Sequence, residues 1–160
     1  MDATLCREHF AELTREELTL LSQLQKLLED ERAVIAAGDL KALQRSTEQR
    51  QQRLAALAET DSQRRSLCTL HGQVADAAGI GRLLKWCDPT GSLAPLVAET
   101  RARALKCREL NDRNGLMVGL KLKRVDERLQ VLRGRNDRAS TYGPRGALTR
   151  AAGGRVLGAV

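Results

Sequence analysis

The sequence predicts an all-α protein: an elongated antiparallel bundle of three long helices, a short connecting helix and a C-terminal Gly/Arg-rich tail in which further helix can form. The first observation is composition, since Leu, Ala, Arg, Gln and Glu dominate and are strong helix formers. Aromatic residues make up only 2% of the chain, far fewer than β-sandwiches and barrels use. The second observation is periodicity, because apolar residues recur in steps of three and four along three long stretches.

The first helix is predicted from near residue 3 to Ala37, a stretch without Gly or Pro. Gly38 suits the position after a helix and Asp39 suits an N-cap, so the pair predicts a tight turn between antiparallel helices. The second helix is expected to start at Leu40 and to end before Gly79. Its middle is polar on every side, which indicates a partly solvent-facing helix.

Residues 82–87 are predicted to form a short helical segment, and the Asp88-Pro89-Thr90-Gly91 run is a strong turn signal. Ser92 is expected to cap the third helix, which then continues to Arg133. We therefore divide the chain into a helical bundle domain at 1–133 and a flexible basic tail at 134–160. The sequence does not decide whether the second helix is broken near residue 60.

The charge of the chain is uneven. The formal net charge is +7, but residues 1–100 hold 12 basic and 15 acidic side chains, whereas residues 101–160 hold 15 basic and 5 acidic ones. A basic end suggests contacts with nucleic acid, a membrane surface or an acidic protein, or else a solvated tail. No stretch is apolar enough to span a membrane or to serve as a secretory signal, so we expect a cytoplasmic protein without membrane insertion.

No catalytic constellation is present in the sequence: we find no P-loop, nucleophile elbow, zinc-protease motif or dinucleotide fingerprint. The four cysteines lie far apart and are expected to be small core hydrophobes of a reducing compartment. Neither histidine lies near clustered ligands. We predict no enzyme activity, no metal site and no cofactor.

The segment Asn111-Asp112-Arg113-Asn114-Gly115-Leu116-Met117 lies in the middle of the third helix. Asn111 and Asn114 are expected to project toward the apolar stripe, where buried polar residues can fix the register of helices. The alternative is a hydrated layer that matches the polar middle of the second helix. Gly115 allows close helix approach or a slight bend.

A second segment, Thr141-Tyr142-Gly143-Pro144-Arg145-Gly146, holds the only tyrosine. An exposed tyrosine in the tail is a suitable protein contact, because tyrosine is enriched at binding hot spots. The alternative is a local turn around Gly143-Pro144.

With these segments the chain resembles the FlgN family of flagellar export chaperones. The resemblance is carried by Leu-Leu-x-x-Glu at 27–31 followed by Ala-Gly-Asp-Leu at 37–40, by Asn-x-x-Asn-Gly-Leu-Met at 111–117, and by Tyr-Gly-x-x-Gly at 142–146. The second motif is the most specific. The motifs occur in the expected order and span most of the chain.

The resemblance implies a cytosolic chaperone that binds the C-terminal amphipathic helices of the hook–filament junction proteins FlgK and FlgL. Such chaperones prevent premature assembly and deliver their clients to the type III export machinery. By motif, Tyr142 would dock on the export gate component FlhA. By region only, the client would contact Leu129, Leu132, Leu148, Val156 and Leu157. The Gly- and Arg-rich tail departs from the family pattern.

An alternative function is nucleic-acid binding by the basic C-terminal half, although base stacking would require more aromatic residues than Tyr142. A sustained coiled coil is disfavoured by the irregular apolar steps and by the polar middle of the second helix. A homodimer remains open, because a bundle with an exposed apolar stripe can pair with a second copy.

Overall fold

A computed structural model describes the backbone of residues 2–139 and the side chains of residues 2–133. All regular structure in that part is helical: α1 (Ala3–Ala37), α2 (Leu40–Leu70), α3 (Ala77–Cys87) and α4 (Ala94–Ala139). The all-α prediction is confirmed. The chain divides after Val118 into two units. The first holds α1 to α3 and the beginning of α4, and the described part of the second is the α4 helix from Gly119 onward.

The turn between α1 and α2 forms where the sequence predicts it. Gly38 adopts a left-handed conformation with φ 75°, and its N–H donates to the carbonyls of Val34 and Ile35. The Asp39 carboxylate accepts a hydrogen bond from the Ala42 N–H at 2.9 Å, which caps α2. The two helices are antiparallel, because Glu17 pairs with Arg64 and Glu31 pairs with Arg50.

Helix α2 is continuous through Thr60 and Asp61 and ends at Leu70, before Gly79 as predicted. The reason is Gly72, which adopts φ 67°, a conformation that glycine reaches without steric cost. The N–H of Gln73 then donates to the Cys68 carbonyl at 2.9 Å and closes the end of the helix. In the sequence, Gly72 directly after His71 marks this end of the helix.

Helix α3 begins at Ala77, so it is longer than the predicted segment 82–87. The Asp76 carboxylate caps it by accepting the Gly79 N–H at 2.6 Å. Gly79 lies inside the helix because its backbone packs on the preceding loop: a Cβ there would lie 1.8 Å from the Val74 carbonyl oxygen. The glycine that suggested a break is therefore required for close packing.

The prediction that Ser92 caps the next helix is wrong, since α4 begins at Ala94. The Asp88 carboxylate instead accepts the backbone N–H groups of Ser92 and Leu93 at 3.0 and 2.8 Å, and the Ser92 hydroxyl donates to the same carboxylate at 2.6 Å. A carboxylate accepts more hydrogen bonds than a hydroxyl can, so Asp88 organises this turn. At its other end α4 continues past Arg133 to Ala139, because a single Gly134 costs a helix only about 1 kcal/mol.

The hydrogen bonds of Asp88 make the free energy of unfolding depend on pH. The hydrogen bond from the Ser92 hydroxyl, followed by the bond from the Leu93 N–H, lowers the pKa of Asp88 below its ordinary value. A carboxyl whose folded pKa is lowered stabilises the fold above the unfolded pKa and loses that contribution as the pH falls through the folded pKa. We therefore expect Asp88→Asn to reduce the loss of stability below about pH 4. Urea unfolding followed by Trp86 fluorescence at several pH values measures this, with the exposed Asp112→Asn as control. Parallel pH profiles for Asp88→Asn and the native chain would contradict the assignment.

In the first unit α4 runs parallel to α1. The Cys107 thiol donates to the Leu21 carbonyl at 3.3 Å, and the Asn114 side chain donates to the Leu28 carbonyl at 2.8 Å. In both pairs the two residues are 86 positions apart in the sequence, as expected for parallel helices. Two apolar clusters stabilise the unit. One joins α1, α2, α3 and Leu93 and consists of Cys6, Phe10, Ala11, Leu13, Leu67, Cys68, Leu83, Cys87 and Leu93. The other joins α1 and α4 and consists of Leu21, Leu24, Leu28, Cys107 and Leu110.

Candidate functional site

The second unit presents an apolar stripe along α4. It consists of Leu122, Val125, Leu129 and Leu132, whose spacing of three and four places them on one side of the helix. We call these four residues the distal stripe. Their side chains are 45–65% exposed, although such a stripe is normally the buried face of a helix. Among the side chains of residues 2–133, the distal stripe therefore has no packing partner of the kind that its pattern calls for.

The segment of α4 that carries the distal stripe is positively charged. Residues 119–133 contain five cations and two acids, and Asp126 accepts a hydrogen bond from Gln130 at 3.1 Å. Helical geometry places Lys121 and Arg128 along one side of the stripe. An apolar surface edged by cations suits an amphipathic helix that carries acidic residues beside its apolar face. The sequence pattern located this stripe but could not tell that it is exposed.

The two predicted asparagines have different environments. Asn114 is 2% exposed, and its Nδ2 donates to the Leu28 carbonyl at 2.8 Å and to the Glu31 carboxylate at 2.9 Å. Asn111 is exposed and only accepts a 3.5 Å bond from Arg50. The expected inward projection is therefore confirmed for Asn114 and wrong for Asn111, because residues three apart differ by about 60° around a helix.

Glu31 is the residue that sequence reasoning missed. Its side chain is 2% exposed, and besides Asn114 it contacts the Ser46 hydroxyl at 3.5 Å and the Arg50 guanidinium at 3.4 Å. One carboxylate thus links α1, α2 and α4. A buried charge is tolerated only when it is paired and hydrogen-bonded, so this network specifies how the three helices align. Glu31 and Asn114 belong to two separate motifs of the sequence, and the fold brings those motifs together.

Gly115 does not serve close helix packing. The residue is exposed, and a Cβ built on it would meet nothing within 4 Å among the described residues. The expectation of close approach at Gly115 is wrong. Close packing requires glycine at Gly79 instead.

The four cysteines are buried in the two apolar clusters, as predicted for core residues. Burial, with the neighbouring Cys87 thiol, raises the pKa of Cys6 to about 12. Burial also raises the pKa of the Cys68, Cys87 and Cys107 thiols. Side chains that would form a metal site do not cluster anywhere in the described part of the chain.

The sequence matches a family of known proteins. The family model described as FlgN protein matches residues 6–150. The chain belongs to the FlgN family. Neither the curated proteins nor the solved structures yield a match. The matched range includes α1 from Cys6 onward, the other three helices, and the motifs in which Glu31 and Asn114 lie.

FlgN family membership makes the chain a flagellar export chaperone, a protein that works by binding its substrates. This agrees with the exposed apolar side chains that α4 presents, among them Leu122, Val125 and Leu129. Within residues 2–139, no helix is long and apolar enough to cross a bilayer. Of the predicted functional residues, Leu129 and Leu132 lie in the distal stripe, whereas Tyr142, Leu148, Val156 and Leu157 lie outside the described residues.

Proposed function

We propose that this FlgN-family chaperone binds the C-terminal amphipathic helices of the hook–filament junction proteins FlgK and FlgL. The client helix would lie along the distal stripe, with Leu148, Val156 and Leu157 of the tail adding apolar contacts. The bound client would be kept from premature assembly until it reaches the export gate component FlhA. The observation that carries the proposal is the exposure of four helically spaced apolar residues, Leu122, Val125, Leu129 and Leu132.

The physical chemistry of the stripe supports reversible binding. Docking a client helix removes apolar surface on both helices from water, and each fully buried Leu or Val contributes about 1.5–3 kcal/mol. Ordering the client costs about 2–5 kcal/mol, which keeps the complex weak enough to release at the gate. The cations beside the stripe favour clients with acidic residues and increase the rate of association.

Titration of FlgK and FlgL C-terminal peptides into the full chain, and into a chain ending at Arg133, tests the proposal. Isothermal calorimetry should show saturable binding to the full chain and weaker binding to the shortened chain, because the shortened chain retains the distal stripe and loses the tail leucines and valine. Equal affinities would remove the tail from the client site. Absence of binding to both chains would overturn the proposed client.

The role of Tyr142 is tested separately. We expect Tyr142→Ala to weaken binding of the chaperone–client complex to the cytoplasmic part of FlhA by about tenfold or more, as truncation of a tyrosine hot spot does. Binding of the client peptide should remain unchanged, and Tyr142→Phe should keep most of the affinity for FlhA. Unchanged FlhA affinity of Tyr142→Ala in surface plasmon resonance would leave Tyr142 as a turn residue.

A further inference from the structure

A second apolar surface lies in the first unit, between α3 and the start of α4. It consists of two adjoining hollows of about 590 and 470 Å³ that share Gly81, Leu84, Val97 and Arg101. Leu84 and Val97 are half-buried and supply the apolar floor. We call this surface the α3/α4 groove. It is separate in sequence from the distal stripe, which lies entirely beyond Val118.

Gly81 keeps the groove open. A Cβ at this position would meet nothing within 4 Å, and the φ of Gly81 is not in the left-handed region, so a side chain fits there without backbone strain. Alanine or leucine would be better helix formers by about 1 kcal/mol. The fold of the first unit therefore does not require glycine at 81, although it does require glycine at 79.

The charge at the groove is positive. Arg101 borders both hollows and Lys85 borders one, and neither forms an ion pair within residues 2–133. The two acids of the groove are already engaged: Glu17 pairs with Arg64, and Asp88 accepts backbone and hydroxyl hydrogen bonds at the start of α4. A ligand in the groove would thus meet an apolar floor and unpaired cations.

We propose that the α3/α4 groove binds an amphipathic helix of a second protein partner, one that carries acidic residues beside its apolar face. The cations select such a helix, because opposite charges at the rim of an apolar groove set specificity and orientation. The chain's own tail does not fit this description, since it has four arginines and no acid after Asp137. The proposal goes beyond client binding, because the groove belongs to the first unit and the distal stripe to the second.

Two designed peptides serve as probes for the groove. Both are about 16 residues long and share one leucine stripe at helical spacing, with glutamates beside the stripe in one peptide and lysines in the other. In ¹⁵N spectra of the full chain, the glutamate peptide should shift the amides of Leu84, Val97 and Arg101 saturably. The lysine peptide should bind at least about tenfold more weakly.

Two variants with matched controls locate the binding. Gly81→Leu fills the groove and should lower the affinity for the glutamate peptide by about tenfold or more. Gly115→Leu should leave that affinity unchanged, because Gly115 is another helical glycine with free space around it but lies outside the groove. Arg101→Glu should weaken the same peptide, whereas Arg32→Glu, an exposed α1 arginine outside the groove, should leave its affinity unchanged. If Gly81→Leu fails to fold by circular dichroism, the Arg101 pair decides the question.

Three results would overturn the proposal. The first is equal affinity of the peptide for the native chain, Gly81→Leu and Arg101→Glu. The second is a set of amide shifts confined to Leu122–Leu132, which would mean that the acidic peptide uses the distal stripe. The third is self-association in sedimentation velocity that Gly81→Leu abolishes, which would mean that the groove holds a second copy of the chain.

Discussion

Asn114→Asp is expected to destabilise the first unit by about 3–5 kcal/mol, the cost of leaving a buried charge without its partner. The side chain keeps its size, but two donated hydrogen bonds, to the Leu28 carbonyl and to Glu31, become contacts between acceptors. A second carboxylate would also lie about 3 Å from the buried Glu31 carboxylate, where two like charges repel strongly. Urea unfolding monitored by Trp86 fluorescence and by circular dichroism measures the loss.

The control lies three residues away in the same motif. Asn111→Asp makes the same chemical change at an exposed position beside Arg50, so we expect a change within about 0.5 kcal/mol. Adding Glu31→Gln to Asn114→Asp should recover most of the stability, because the glutamine amide supplies a donor to the new carboxylate. Equal destabilisation by the Asn111 and Asn114 variants, or no recovery by Glu31→Gln, would show that the α1–α2–α4 network does not stabilise the fold.

The double substitution Leu129→Glu, Leu132→Glu should lower affinity for the FlgK or FlgL C-terminal peptide by about 100-fold or more. Each leucine contributes about 1.5–3 kcal/mol when it is buried by a client, and each new glutamate would also oppose the acidic side chains of that client. Stability should hardly change, because both side chains are 45–58% exposed in the free protein. Calorimetric titration beside thermal unfolding separates the two effects.

Leu105→Glu is the matched control for this prediction, since Leu105 is a 57% exposed leucine of α4 that belongs to the first unit. It should leave client affinity unchanged. If Leu105→Glu and the double variant bind the peptide equally well, the distal stripe is not the client site. Loss of a dimer in sedimentation experiments on the double variant, without loss of peptide binding, would assign the stripe to a second copy of the chain.

The local features of the fold were predictable from the sequence. The absence of Gly and Pro before Ala37 and the Gly38-Asp39 pair determine the extent of α1 and the start of α2, because caps and breakers act over a few residues. The prediction that α2 ends before Gly79 is confirmed, but it did not give the last residue, Leu70, because Gly79 itself lies inside α3. Whether glycine is favoured within a helix depends on what packs against that position. At Gly79 the neighbour is the Val74 carbonyl, and the spacing of apolar residues in the sequence does not indicate this contact.

The functional surfaces were predictable only in part. Helical spacing identified Leu122 to Leu132 as one stripe, but spacing is the same for a buried and for an exposed face. Glu31 was missed because a glutamate in a helix is nearly always exposed to solvent. Its burial is tolerated only because Ser46, Arg50 and Asn114 of other helices contact its carboxylate. The α3/α4 groove could not be predicted from the sequence either. Its floor is formed by residues of two helices, and no local sequence pattern shows that these helices pack together.

The buried thiols have a practical consequence for spectroscopy of this chaperone. Maleimides react with thiolates, and at pH 7 a thiol with the pKa of Cys6, about 12, is ionised to only about one part in 10⁵. An exposed cysteine with an ordinary pKa is ionised to a few per cent under the same conditions. A single cysteine introduced in place of Val131 would therefore take a fluorophore or spin label selectively. Distances to a labelled client could then be measured in a chain that keeps all four of its native cysteines.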